Sequence, residues 1–252
     1  MTFVVAADSY DRFMGRYSVP LAPALADFAG VEAGWGVLDI GCGPGALTAE
    51  LVRRLGARNV SAVDPSAPFV DAARSRHPGV TVLQAAAEEL PFADDSFDAA
   101  LAELVVHFMA DPVAGLREMA RVTRTGGVVA ACVWDHGGGR GPLSPFWEAV
   151  HELDAGASDE STMAGAREGH LRELFDAAGL GEIDETALSV SVEHATFEDY
   201  WEPFTLGVGP AGGYASRLDR ERQAQLRKLC RERLPEAPFV LTSYAWAARG
   251  LA

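Results

Sequence analysis

Residues 37–45 read VLDIGCGPG, a short apolar run that breaks into a glycine-dense turn. Val37, Leu38 and Ile40 favour a strand, and Gly41, Gly43 and Gly45 lead into Ala46-Leu47-Thr48-Ala49-Glu50-Leu51-Val52, which has helical character. Strand, loop and helix in this order bring the main chain of an α/β protein close to a nucleotide, because glycines take positive φ and carry no Cβ. The unpaired N–H groups that open the helix add donors and a partial positive charge. A glycine triplet alone is weak evidence, since a tight strand-to-helix turn without a ligand also uses one. Asp39 sharpens the reading. A carboxylate two residues before the first glycine repels a pyrophosphate and attracts a ligand carrying an ammonium group.

Outward from this stretch, strand patterns at 36–40, 60–63, 80–83, 97–105 and 128–134 alternate with helix patterns, which implies a parallel sheet with right-handed crossovers. Leu47, Leu51, Val52 and Leu55 share one helix face, and that helix ends near Gly56. Asp64 falls 19 positions beyond Gly45, at the tip of the second strand, where a carboxylate can accept hydrogen bonds from both hydroxyls of a ribose. Pro65 and Ser66 follow, with Ser66 placed to cap the helix that runs to about Arg76. Asp111 reads as an N-cap and Pro112 as the first helical residue, with Leu116, Met119, Ala120 and Thr123 as the buried stripe and Thr125-Gly126-Gly127 as the stop. The unbroken apolar run 128–134 predicts a central strand. A helix at about 168–178, a strand near 183–192 and an alternating strand at 239–248 complete the core pattern.

The VLDIGCGPG stretch resembles motif I of the class I S-adenosylmethionine-dependent methyltransferases. QAAAEELPF, residues 84–92, is similar to that family's adenine-contacting loop at Ala87, Glu88, Leu90, Pro91 and Phe92. The leader DSYDRFMGRY, residues 8–17, resembles the YxRFMGR-type start of small-molecule methyltransferases of the type 11 group. The resemblance covers nearly the whole chain. It implies a Rossmann-like α/β fold: a seven-stranded, mostly parallel sheet with helices on both faces, the last strand antiparallel beside strand five, and lid-forming insertions. It implies S-adenosyl-L-methionine as cofactor and S-adenosyl-L-homocysteine as product, with no phosphate bound. Asp39, Gly41, Cys42, Gly43 and Gly45 are then expected beside the amino-acid end and ribose, Asp64, Pro65 and Ser66 at the ribose, and Ala87 and Glu88 at the adenine. Glu103 falls at the end of strand four, beside the departing methyl group. The leader is expected to fold over the cofactor with Tyr10, and with Arg16 or Tyr17 meeting the methionine carboxylate. One position departs from the pattern. Ala86 stands where many relatives carry an aspartate for the adenine amino group, which leaves that contact to Glu88, a backbone carbonyl or water.

The chain of 252 residues is 48% apolar and 23% charged, enough to bury one α/β core. A single methyltransferase domain is expected over 1–252: a leader and lid at 1–35, a cofactor-binding core at 36–135, and substrate-side insertions at 136–167 and 196–237. The net charge of −15 argues against a nucleic-acid partner. Cys42, Cys132 and Cys230 are odd in number and lack CxxC spacing, which points to a reducing cytoplasm and no metal site, with Cys42 a small filler in the loop. MTFVVAADS has no basic flank and too short an apolar run for a signal peptide. No stretch approaches the roughly 18 apolar residues of a membrane span. A cytoplasmic enzyme of small molecules is expected, with no membrane partner and its oligomeric state open.

Methyl transfer from a sulfonium is an in-line displacement with a neutral leaving group, so alignment and exclusion of water are the protein's main tasks. A base is needed only for an acceptor such as a hydroxyl or a protonated amine. His107 is the first candidate, since an ordinary imidazole titrates near working pH, with Glu103 within reach to orient it. His136 and Asp135 come second, and His151, His170 and His194 show no metal-ligand spacing. Phe146, Trp147, Tyr200, Trp201 and Phe204 in the insertions suggest an apolar or aromatic acceptor. Two other readings stand beside this one. Gly41–Ala46 also satisfies G-x-G-x-x-G/A, with Asp64 at a distance suited to a nicotinamide dinucleotide, although Asp39 and the 84–92 loop speak against it. The fold can also be kept without methyl transfer, as a cofactor-binding partner protein or in another sulfonium-assisted reaction.

Overall fold

The computed structural model describes residues 7–252; residues 1–6, which hold much of the apolar opening weighed above and the start of the 1–35 segment, lie outside the described residues. The seven strands are β1 (Val37–Ile40), β2 (Val60–Asp64), β3 (Thr81–Gln84), β4 (Phe97–Glu103), β5 (Thr123–Trp134), β6 (Gly181–His194) and β7 (Phe239–Leu251). They form one sheet in the order β3-β2-β1-β4-β5-β7-β6. The pairs among β1–β5 are parallel, and β7 runs antiparallel between β5 and β6. The last strand therefore inserts where the resemblance predicts it.

Alternation along the strands divides the core in two. Val37, Leu101, Cys132 and Trp134 face one layer, while Leu38, Ala100, Val129 and Val133 face the other. The first layer holds α1 (Ala7–Tyr10), a wide turn at Asp11–Gly15, α2 (Arg16–Phe28) and α3 (Ala46–Leu55), with Leu21, Leu25, Leu47 and Leu51 buried. Next to it α4 (Ala67–Arg76) lays Val70 and Ala73 on β2 and β3. The opposite layer is α5 (Pro112–Val122) and, after α6 (Ser144–Leu153), α7 (His170–Ala178), with Leu116, Met119 and Phe175 fully buried. Burying a leucine of this kind contributes about 1.5–3 kcal/mol. The 196–237 segment adds α8 (Phe197–Trp201), α9 (Gly209–Arg217) and α10 (Arg220–Arg233). It joins the 136–167 insertion through Phe146 and Phe204, whose rings stack 4.3 Å apart and nearly parallel.

Local differences from the sequence expectations have local causes. Asp111 does cap α5, accepting from the Ala114 N–H at 3.0 Å. Ser66 occupies the N-cap position of α4, but its side chain makes no capping bond. β5 begins at Thr123 and not at Val128, because a register shift lets Thr123 pair with Phe97 before the ladder resumes at Ala99 and Val128. The 207–213 stretch is glycine-rich. α9 starts inside it, and a Cβ on Gly212 would come within 2.9 Å of the Gly207 backbone, so the glycine permits close approach.

Candidate active site

The strand order reverses between β1 and β4, and ligands of open α/β sheets sit in the crevice at the carboxyl ends of strands on either side of such a reversal. A cavity of about 260 Å³ lies there. Gly41, at φ +65°, closes β1 against the tail of β4: a Cβ at this position would fall within 2.5 Å of Val105. Gly43 donates its N–H to Asp64 Oδ2 at 2.9 Å, and the Ser66 N–H donates to Asp64 Oδ1 at 2.8 Å. These bonds tie the glycine loop to the end of β2 and hold the Asp64 carboxylate at the cavity wall. At the end of β4, Leu104 takes φ +60°, a left-handed conformation that costs a non-glycine residue about 1–3 kcal/mol. Its N–H bond to the Cys132 carbonyl at 2.9 Å holds it there.

The cavity is acidic and has no cationic counterpart among its described lining residues. Asp64, Glu88 and Glu103 line it, and no lysine, arginine or histidine does. Both Glu103 oxygens are buried without a hydrogen-bond partner among the described residues, and burial pushes its carboxyl well above the usual range. Asp39 lies beneath the loop, 1% exposed, with Oδ2 accepting from Thr48 Oγ1 at 2.5 Å and Oδ1 without a partner. Burial pushes it up to about 7 against the Thr48 hydrogen bond, and the Asp64 charge adds to the rise. A buried carboxylate oxygen left unpaired is costly, and an incoming cation would relieve it. The donor set fits an aminoacyl nucleoside with an ammonium group and opposes a pyrophosphate. From the leader, Tyr10 reaches across and meets Phe69 of α4 edge-on, ring centroids 5.3 Å apart, so the leader covers the cavity.

The family model for the methyltransferase domain matches residues 38–131, the span from β1 to β5 that builds this cavity. Residues 38–131 match a methyltransferase domain. The chain is 38% identical over 135 residues to an uncharacterised methyltransferase of Mycobacterium tuberculosis, covering 54% of this chain and 52% of that one. It is 36% identical over 156 residues to the malonyl-[acyl-carrier protein] O-methyltransferase of Pectobacterium atrosepticum, covering 59% and 56%. The chain thus spans about half the length of these curated relatives. In fold it is similar to the YcgJ protein of Bacillus subtilis, with a TM-score of 0.59, 20% identity, and 93% and 97% of the two chains covered.

Around the methyltransferase domain, the structure brings Tyr10, Gly41, Gly43, Asp64, Pro65, Ala87, Glu88 and Glu103 to the cavity. Glu88 Oε1 also accepts from the Ala110 and Asp111 N–H groups, fixing the turn before α5. Asp39, Cys42 and Ser66 support the loop from beneath and do not line the cavity. Cys42 is buried, with its thiol directed at the Gly43 carbonyl. Gly45 faces an outer groove, since its left-handed φ of +106° turns α3 away and His77 occupies the space a Cβ would need. Arg16 and Tyr17 correct the expectation for the leader. Arg16 bonds the Asp199 carbonyl and lies 3.2 Å from His194 Nδ1, and the Tyr17 hydroxyl lies 3.0 Å from His194 Nε2. Both side chains anchor α2 to the end of β6 and do not reach the cavity.

His107 is also corrected. It lies in a second pocket behind the first, its ring tilted by 41° against Phe108 with centroids 3.9 Å apart, and burial together with His136 drives its basicity well below the ordinary imidazole value. No Glu103 oxygen bonds it among the described residues, and its Nδ1 is unpaired. His136 lines the same pocket and is held down to about 4 by burial. Asp135 instead ties the Gly138 N–H and Arg140, a structural task. Sequence reasoning missed Phe69, Leu104, Phe108 and Met109 as cavity walls and Glu160 in the second pocket. Glu160 lies in a stretch with no periodicity, so nothing local marked it.

Proposed function

We propose that this protein is a methyltransferase that uses S-adenosyl-L-methionine and passes the methyl group to a small molecule with an apolar or aromatic body. The single observation behind this reading is the acidic cavity at the strand reversal, without a cation among its described lining, where Glu103 holds unpaired carboxyl oxygens beside bare glycine backbone. The cofactor, when bound, supplies a methyl group on a sulfonium whose departure leaves a neutral thioether. Asp64 would hold the ribose, Glu103 would attract the ammonium with the Asp39 charge behind the loop, and Ala87 with Glu88 would flank the adenine. Tyr10, Phe69 and Phe108 exclude water from that space, where alignment can account for roughly 7–11 kcal/mol of the barrier. His107 contributes as a neutral hydrogen-bonding group facing the acceptor, given its depressed basicity.

The chain would act as one domain, in a setting without membrane or nucleic-acid partners. The same acidic lining disfavours the dinucleotide alternative, because a diphosphate there would face carboxylates and no compensating cation. The weakly basic His107 leaves room for a second reading, in which the cofactor is bound but the reaction is not methyl transfer. Calorimetric titration with S-adenosylmethionine and S-adenosylhomocysteine tests the first reading: binding is expected, and no heat at millimolar concentration rejects it. Cofactor bound while no acceptor in a broad metabolite panel yields S-adenosylhomocysteine supports the second.

A further inference from the structure

The leader covers the donor cavity by leaning on α4. Phe69 and Arg76 stand about two turns apart on that helix and so share a face. At Phe69 this face takes the Tyr10 ring, which lines the cavity and overhangs the glycine loop: a Cβ on Gly43 would lie 4.0 Å from Tyr10 Cε1. At Arg76 it takes the charges of the leader. Arg76 Nη2 donates to Asp11 Oδ2 at 2.7 Å and lies 3.6 Å from Asp8 Oδ1. The same guanidinium reaches the glycine loop, where Nη1 donates to the Pro44 carbonyl at 3.3 Å. Arg76 lines the outer groove and not the cavity, so it acts on the donor site only through these partners.

We propose that Arg76 is a positioning residue that fastens the first turn of the leader to the glycine loop, and so gates the passage of S-adenosylmethionine into and out of the donor cavity. This deepens the methyl-transfer reading and rests on it. No residue of α1 is fully buried, whereas Phe13 and Met14 just after it are buried and keep the rest of the leader in place. A turn without buried side chains opens locally at small cost, and Tyr10, which covers the cavity, is the last residue of this one. A planar guanidinium can hold a carboxylate on one edge and a carbonyl on another, which the single point charge of a lysine does less well. Partly exposed ion pairs contribute little to global stability. The leverage of this pair comes from its place beside Tyr10 and not from its strength. Arg12 offers the contrast. Its 3.4 Å pair with Glu202, both side chains more exposed, ties the leader to the 196–237 segment without touching α4 or the loop.

Surface plasmon resonance with S-adenosylhomocysteine over the immobilised full chain reads both rates. Arg76→Ala is expected to speed association and release together, each about three- to fivefold, so that the dissociation constant moves by less than about twofold. Asp11→Asn should do the same, and the double variant should release no faster than Arg76→Ala alone. Arg76→Lys should restore part of the slowing, and Arg12→Ala should leave both rates at their wild-type values. Unmoved rates in Arg76→Ala and Asp11→Asn, additive effects in the double variant, or equal acceleration in Arg12→Ala would each overturn the proposal. So would a loss of affinity with association unchanged, the mark of a glycine loop that Arg76 merely shapes. If Arg76→Ala does not fold, Asp11→Asn on the leader carries the same test. A wild type that binds no S-adenosylhomocysteine removes the methyltransferase reading and the gate with it. Normal binding with rates indifferent to Arg76 removes the gate alone.

Discussion

Asp64 shows how much one residue carries. Its two oxygens each accept a main-chain N–H, from Gly43 and Ser66, so the carboxylate is both the brace of the glycine loop and a wall of the cavity. Desolvation raises its pKa and the two backbone bonds oppose that rise. Asp64→Ala should weaken S-adenosylmethionine binding by about 1–3 kcal/mol, roughly 5- to 150-fold by calorimetry, through lost charged hydrogen bonds. Unchanged affinity would move the ribose elsewhere. The place of Asp64 was legible in the sequence because chain spacing alone puts it at a strand tip. His107 was misjudged for the opposite reason: an imidazole's basicity depends on burial, and burial depends on partners far away in the chain.

At the scale of elements, α2 and β6 are locked by Tyr17, Arg16 and His194. Arg16 has only donors to offer, so His194 Nδ1 accepts, and Nε2 carries the proton that it donates to the Tyr17 oxygen. Burial and the Arg16 charge hold this neutral imidazole down to about 4. Its folded value lies below its unfolded value of roughly 6.5, so its contribution to stability is present above pH ~6.5 and is lost as pH falls towards 4. His194→Gln should unfold thermally with a shallower pH dependence between pH 6.5 and 4; an unaltered slope would place the acid sensitivity elsewhere. The two insertions meet through the Phe146–Phe204 stack, with Phe13 against the edge of Phe204 at 5.4 Å. Phe204→Ala should cost about 3–5 kcal/mol, read from denaturant midpoints, and expose the 136–167 and 196–237 segments to limited proteolysis. Existence and order of the core strands could be read from periodicity, whereas α6, α8 and α9 in the insertions could not. The ends of elements could not be read either, because the Thr123–Phe97 pairing and the Gly207–Gly212 approach are contacts, not patterns.

Over the whole molecule, a net charge of −15 means strong self-repulsion, since 36 acidic residues face 21 lysines and arginines. Raising salt from 20 to about 200 mM should raise the thermal midpoint, since the Debye length falls to roughly 10 Å at 0.1 M. A midpoint that falls with added sodium chloride would mean that surface ion pairs outweigh the repulsion. Among the described residues no helix is long and apolar enough to cross a membrane. The sequence by itself determined the α/β alternation, the glycine turn after β1 and the carboxylates at the strand tips, because these depend on period, backbone freedom and counting along the chain. Only the tertiary structure decided that Arg16 and Tyr17 turn to His194, that Asp39 lies beneath the loop while Glu103 lines the cavity, and that Glu160 joins the leader in one apolar pocket. Proximity and desolvation between distant segments set those outcomes, and neither quantity exists until the chain has folded.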